Sequence, residues 1–94
     1  MVGFGHNPPE QPHHRSSSCT PNEDCSQTAH DSNRRNFFTL HGALVGGPDA
    51  KDNYQDSRND YIANEVAIDY NAGFQGAVAA WKCYAMGGAC WDNF

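Results

Sequence analysis

The chain predicts a mainly α fold, a long N-terminal loop followed by one or two helices, and three observations carry that prediction. Apolar residues keep a helical period only after residue 60, where Ile62, Val66 and Tyr70 recur every four residues and Phe74, Ala77, Val78 and Trp81 follow at i, i+3, i+4 and i+7. Before about Asn36 the chain is rich in Pro, Ser, Asn, Asp, His and Gly, and neither the helical nor the strand period survives. Leu, Ile, Val and Phe together number 13 of 94 residues, too few for so short a chain to enclose a core of its own. A net charge of −5 does not force disorder, so the composition predicts a piece of a larger body whose remainder completes the core.

The elements follow in order. A loop from Met1 to about Asn36 is either functional or disordered at that length, and the short-range pair Cys19 and Cys25 favours the first by offering a disulfide staple. Phe37, Phe38, Leu40, Leu44 and Val45 then form an apolar cluster read as a short helix or turn, stopped by Gly46-Gly47-Pro48. A helical segment from about Asp60 to Tyr70 puts Ile62, Val66 and Tyr70 on one face, with Glu65 elsewhere and Tyr61 and Asp69 as its neighbours at helical spacing. Asn71 is placed to cap a new helix. That helix carries the stripe Phe74, Val78 and Trp81, read as core, while Gly73 and Gly76 thin its sides for close packing. After Trp81 the pattern dissolves, and residues 83–94 form an unassigned tail with a second cysteine pair, Cys83 and Cys90.

Composition also excludes some functions. Six Lys and Arg against eleven Asp and Glu, with Arg34-Arg35 the one basic pair, argue against nucleic acid. The longest apolar run, Gly76 to Trp81, is far too short to cross a membrane, and no signal peptide or lipidation motif is visible. Four cysteines in two short-range pairs suit disulfide loops in an oxidising, extracellular setting and do not match zinc-knuckle spacing.

The richest stretch runs from Tyr54 to Ala72, where Asp56, Asp60, Glu65 and Asp69 are interleaved with Tyr54, Tyr61 and Tyr70. Carboxyl groups beside aromatic faces are what glycosidic bond cleavage needs, because acids move the protons and flat rings accept sugars. A second stretch, Val2-Gly-Phe-Gly5-His-Asn7-Pro-Pro-Glu-Gln-Pro12-His13-His14-Arg15, sets an imidazole and a guanidinium on one extended loop as fixed donors for hydroxyls. The two are joined by Gly42-Ala-Leu-Val-Gly-Gly-Pro48-Asp49.

Together, and in this order, these motifs resemble the C-terminal end of the glycoside hydrolase family 9 catalytic domain, the family of many endoglucanases. The resemblance covers residues 1–82. It implies a C-terminal fragment of an (α/α)6 barrel from a secreted, extracellular enzyme that cuts internal β-1,4 bonds of cellulose or a related glucan with inversion. Residue by residue, it implies that Glu65 is the general acid, that His13 and Asp56 are the other catalytic-site residues, and that Arg15 and Tyr70 contact substrate. The water-activating aspartates of the family belong to a region near the start of the domain, so the catalytic base is expected outside this chain, which needs the rest of the barrel and alone is expected to be inactive. A calcium site common in the family would fall mostly outside these residues, and neither metal nor cofactor is assigned. The segment Ser32-Asn-Arg34-Arg35-Asn-Phe37-Phe38 departs from the family's Asn/Pro-rich loop.

Blander readings stand beside these. His14, Asp52, Asp60 and Asp69 read as solvated surface. A zinc site from His13, His14, His30 and His41 lacks ligand spacing. The chain as a whole has two rival readings, a truncated product that binds glucan weakly or stays unfolded, and a small disulfide-stapled domain of unrelated function.

Overall fold

A computed structural model of the chain describes residues 1–28 and 34–88. Helix is the regular element among them: α1 (Arg15–Ser18), α2 (Cys25–Thr28), α3 (Tyr61–Asn64) and α4 (Ile68–Ala85). The N-terminal loop therefore holds two single-turn helices that periodicity did not foresee, because a four-residue helix is too short to show a period. The apolar cluster at 37–45 turns without forming a helix.

The helix expected over 60–70 is interrupted. α3 starts as anticipated, with the Asp60 carboxylate capping the amides of Ile62 and Ala63, each at 3.1 Å. It stops after one turn because Glu65 is extended, with φ −63° and ψ 141°. Contacts with distant segments replace the helical ladder there. Glu65 pairs with His13 in a parallel bridge, Val66 pairs with Val45 in an antiparallel one, and the Gly46 amide donates to the Glu65 carbonyl at 3.0 Å. Ile62, Val66 and Tyr70 consequently share no helical face. Gly46 permits this clamp, since a Cβ there would lie 2.3 Å from the Ile62 carbonyl oxygen.

α4 starts at Ile68, so Asn71 is inside its first turn and does not cap it. Its side chain ties α4 to the preceding turn, accepting from the Leu44 amide at 3.2 Å and donating to the Gly42 carbonyl at 2.9 Å. α4 also runs past Trp81, where the apolar pattern ends, to Ala85. Gly88 N–H bonds the Cys83 carbonyl at 3.0 Å and Gly87 N–H that of Tyr84 at 3.1 Å. Both glycines have positive φ, the αL geometry that terminates a helix through paired 6→1 and 5→2 bonds.

The core is sparse, as composition anticipates. Val2, Val45 and Cys83 are the buried hydrophobic residues among those described, whereas Ile68, Phe74, Val78, Trp81 and Tyr84 of α4 are exposed. The stripe read as core is thus open here, with Trp81 70% exposed. The radius of gyration, 16.4 Å, exceeds the roughly 12 Å of a compact chain this long. Cys19 and Cys25 form a disulfide, as their spacing suggests. Cys83 is also disulfide-bonded, and Cys90 lies outside the described residues, as do His30, the Ser32-Asn33 end of the departing loop and residues 89–94. No described helix is long and apolar enough to cross a membrane.

Candidate active site

The site is assembled on the interruption between α3 and α4. The His13 amide donates to the Asn64 carbonyl at 2.8 Å, so His13 and Glu65 leave the backbone side by side from a single rung. Glu65 is exposed and His13 half-buried. The Tyr61 ring lies 6.3 Å from the imidazole at 60°, adding an apolar wall beside His13.

The His13 ring is oriented from behind. Its Nδ1 lies 2.6 Å from the Arg58 carbonyl, which can only accept, so Nδ1 carries the hydrogen and Nε2 takes no part in that bond. Arg15 opens α1 two residues later with an exposed side chain. His14 is the α1 N-cap, its Nδ1 accepting from the Ser16 amide at 3.1 Å while its carbonyl takes the hydroxyls of Ser17 and Ser18, both at 2.9 Å. That assigns His14 a local structural role. An open groove of about 540 Å³ runs past His13, Arg15, Asp24 of the disulfide loop and Ser26 of α2. Hydrogen bonds from the Ser26 hydroxyl and amide hold the Asp24 carboxyl below the usual carboxylate range.

Asp56 grips the loop that presents His13. Its Oδ2 accepts from the Glu10 amide at 2.8 Å and its Oδ1 from the Gln11 amide at 3.0 Å. Both oxygens thus serve the backbone two and three residues before the imidazole. Tyr70 sits apart, half-buried in the first turn of α4, and among the described residues no ring contact or hydrogen bond joins it to His13 or Glu65. The structure therefore pairs His13 with Glu65 on the backbone, lines one groove with His13 and Arg15, ties Asp56 to the loop that presents His13, and leaves Tyr70 apart from them.

Asn64, Asn36 and Arg58 matter here without having been singled out, and Asn71 matters in a way its reading as a cap did not anticipate. Asn64 is fully buried; its Nδ2 donates to the Gln55 carbonyl at 2.9 Å and its Oδ1 accepts from the Tyr54 hydroxyl. Burial, reinforced by the negative charges of Asp56 and Asp60, pushes the Tyr54 phenol up to about 12. Asn36, Asn71 and the buried Arg58 likewise tie segments together through side chains. The one available signal was an amide residue, Asn64 or Asn71, inside a helical pattern, where its weak propensity asks for a tertiary reason. Among the described residues no group of three or more His, Cys, Asp or Glu side chains converges to hold a metal ion.

Similarity to known proteins agrees with this geometry. The chain is 49% identical over 80 residues to an endoglucanase of Dictyostelium discoideum, which uses 85% of this chain and 11% of that protein. It is 43% identical over 90 residues to Endoglucanase 18 of Arabidopsis thaliana, of which it spans 18%. Among solved structures, the endoglucanase of the termite Nasutitermes takasagoensis superposes with a TM-score of 0.72 at 58% identity, covering 85% of this chain and 19% of the termite chain. An endoglucanase from Clostridium thermocellum, solved with cellobiose and cellotriose, superposes with a TM-score of 0.70 at 45% identity over 99% of this chain and 14% of its own. The chain thus spans between a tenth and a fifth of the length of these relatives. The family model for Glycosyl hydrolase family 9 matches residues 1–78, the span that holds every residue of the site just described, and the chain belongs to that family.

Proposed function

We infer that this chain is the C-terminal portion of an (α/α)6-barrel endo-β-1,4-glucanase, residues 1–82 belonging to the catalytic domain and 83–94 forming a tail, and that it carries the acid half of an inverting hydrolysis of cellulose or a related glucan. The observation that supports this most is the His13–Glu65 bridge, which sets an acid, an imidazole and an aromatic ring at one open face. Glu65 protonates the leaving glycosidic oxygen. His13 offers Nε2, and Arg15 its guanidinium, to hydroxyls of the sugar on the leaving side. Asp56 holds the 10–13 loop in place, and Tyr70 reaches substrate where the chain bends into α4.

Inversion also requires a second carboxylate about 6.5–9.5 Å away across the scissile bond, with room for water. Asp56 and Asp60 are committed to backbone amides. Asp69 belongs to α4 on the same stretch as Glu65, with no wall facing it. As the family resemblance implies, the base is supplied by the rest of the barrel, whose helices also cover the open stripe of α4. The cysteine usage and the disulfides fit an enzyme that works outside the cell.

The test uses two proteins, the 94-residue chain and a chimera in which it replaces the matching segment of the termite endoglucanase. The chimera is expected to release reducing sugar from carboxymethylcellulose and the chain alone to release none. An inactive but folded chimera, or hydrolysis by the chain alone, contradicts the reading.

A further inference from the structure

Arg58 is among the most buried residues of the chain, at 2% exposure, although it carries a charge and lies outside the substrate-facing surface. Burying a guanidinium is unfavourable unless it is held by good acceptors, so its position calls for a reason. Its backbone carbonyl is the group that receives Nδ1–H of His13 at 2.6 Å. Its side chain reaches the other end of the same loop, Nη1 donating to Oδ1 of Asn36 at 3.2 Å. Asn36 turns the contact back toward the imidazole. Its Nδ2 donates to the carbonyl of Pro12 at 2.9 Å and to the Ser17 hydroxyl at 3.2 Å, and its amide donates to Gln11 Oε1 at 2.9 Å. Pro12, immediately before His13, is fully buried.

We propose that Arg58 and Asn36 are positioning residues that hold His13 in its Nδ1–H tautomer, with Nε2 presented to the sugar. His13 is then held by one residue pair, its ring from behind through the Arg58 carbonyl and its backbone through Asn36 and Pro12. The guanidinium holds the Arg58 backbone where its carbonyl meets Nδ1. Losing it frees that carbonyl to move, and neutral imidazole then distributes its proton over both nitrogens. This rests on the endoglucanase reading only for its effect on catalysis; the tautomer itself does not.

The primary measurement is the imidazole ¹⁵N shifts of His13 in the ¹⁵N-histidine-labelled 94-residue chain at neutral pH. The Nδ1–H form is expected to dominate, a mixture of tautomers to appear in Arg58→Met, and most of the original signature to return in Arg58→Lys. Unchanged ¹⁵N shifts in a folded Arg58→Met chain overturn the proposal. Where amide dispersion shows that Arg58→Met has unfolded, Asn36→Ala is read the same way, and the chimera decides if both unfold. There Arg58→Met is expected to lower kcat by about tenfold or more with KM within about twofold, the signature of a displaced reacting group. An unchanged kcat overturns the proposal. An inactive unsubstituted chimera contradicts the endoglucanase reading and leaves the tautomer result to stand alone.

Discussion

His13 and Glu65 occupy one rung of a parallel bridge, closed by the His13 amide on the Asn64 carbonyl at 2.8 Å. The two candidate side chains are thus set by backbone geometry. The other side of Glu65 is clamped by the Gly46 amide at 3.0 Å. A Cβ at position 46 would come within 2.3 Å of the Ile62 carbonyl oxygen, a backbone atom that cannot swing aside. Gly46→Ala is therefore expected to destabilise the chimera by about 1–3 kcal/mol. Its activity should fall with its stability, as read by urea midpoints and initial rates side by side.

Tyr54 gives a pH dependence with a definite sign. Its phenol is held at about 12 by burial and by Asp56 and Asp60, against about 10 in an unfolded chain. Between those values the folded state keeps a proton that the unfolded state has lost, so stability falls as pH rises. The contribution is complete below about pH 10 and gone once pH has passed about 12. Absorbance titration of the 94-residue chain should show one tyrosine ionising near 12, absent in Tyr54→Phe. Urea midpoints should drop less in Tyr54→Phe than in the parent between about pH 10 and 12.

Asp56→Asn separates loop support from proton chemistry. The carboxylate accepts two amides at once, from Glu10 and Gln11, and a carboxamide turns an NH₂ toward one of them. A loss of about 1–3 kcal/mol in stability is expected, with a lowered kcat. If Asp56 acts only by holding the 10–13 loop, the pH profile of the remaining activity keeps its shape.

Much of the chain was legible without coordinates, and what escaped notice has a common cause. The Cys19–Cys25 staple was legible from spacing, and Glu65, His13 and Arg15 were pointed to by the motifs that carry the family resemblance, since each is a local statement. The interruption at Glu65 was not, because the segment Asp60 to Tyr70 has a helical period and hydrogen bonds from His13, Gly46 and Gly47, remote in sequence, override it. Asn71 shows the same conflict: its side chain suits an N-cap, but the turn at Gly42 and Leu44 claims both its amide groups. The Phe74, Val78 and Trp81 stripe was identified by its period and is open in this chain, since a period says which residues share a face and not what covers them.

The uncovered face makes its own prediction. A Cβ added at Gly73 or Gly76 meets nothing within 4 Å, so in the isolated chain each alanine should raise α4 helicity, by about 1 kcal/mol per site. In the chimera, where barrel helices pack against α4, the same substitutions should be neutral or destabilising. Circular dichroism of the chain and thermal melts of the chimera compare the two. Equal stabilisation in both proteins would mean that nothing packs against these glycines.

The central claim is that Glu65 donates the proton to the leaving oxygen, and leaving-group dependence addresses it most directly. In the chimera, Glu65→Ala should lower kcat on cellotetraose by about 10²–10⁴-fold. With 2,4-dinitrophenyl β-cellobioside, whose phenolate departs without a proton, the same variant should stay within about tenfold of the parent. Equal losses on both substrates would contradict the assignment and place Glu65 in substrate binding.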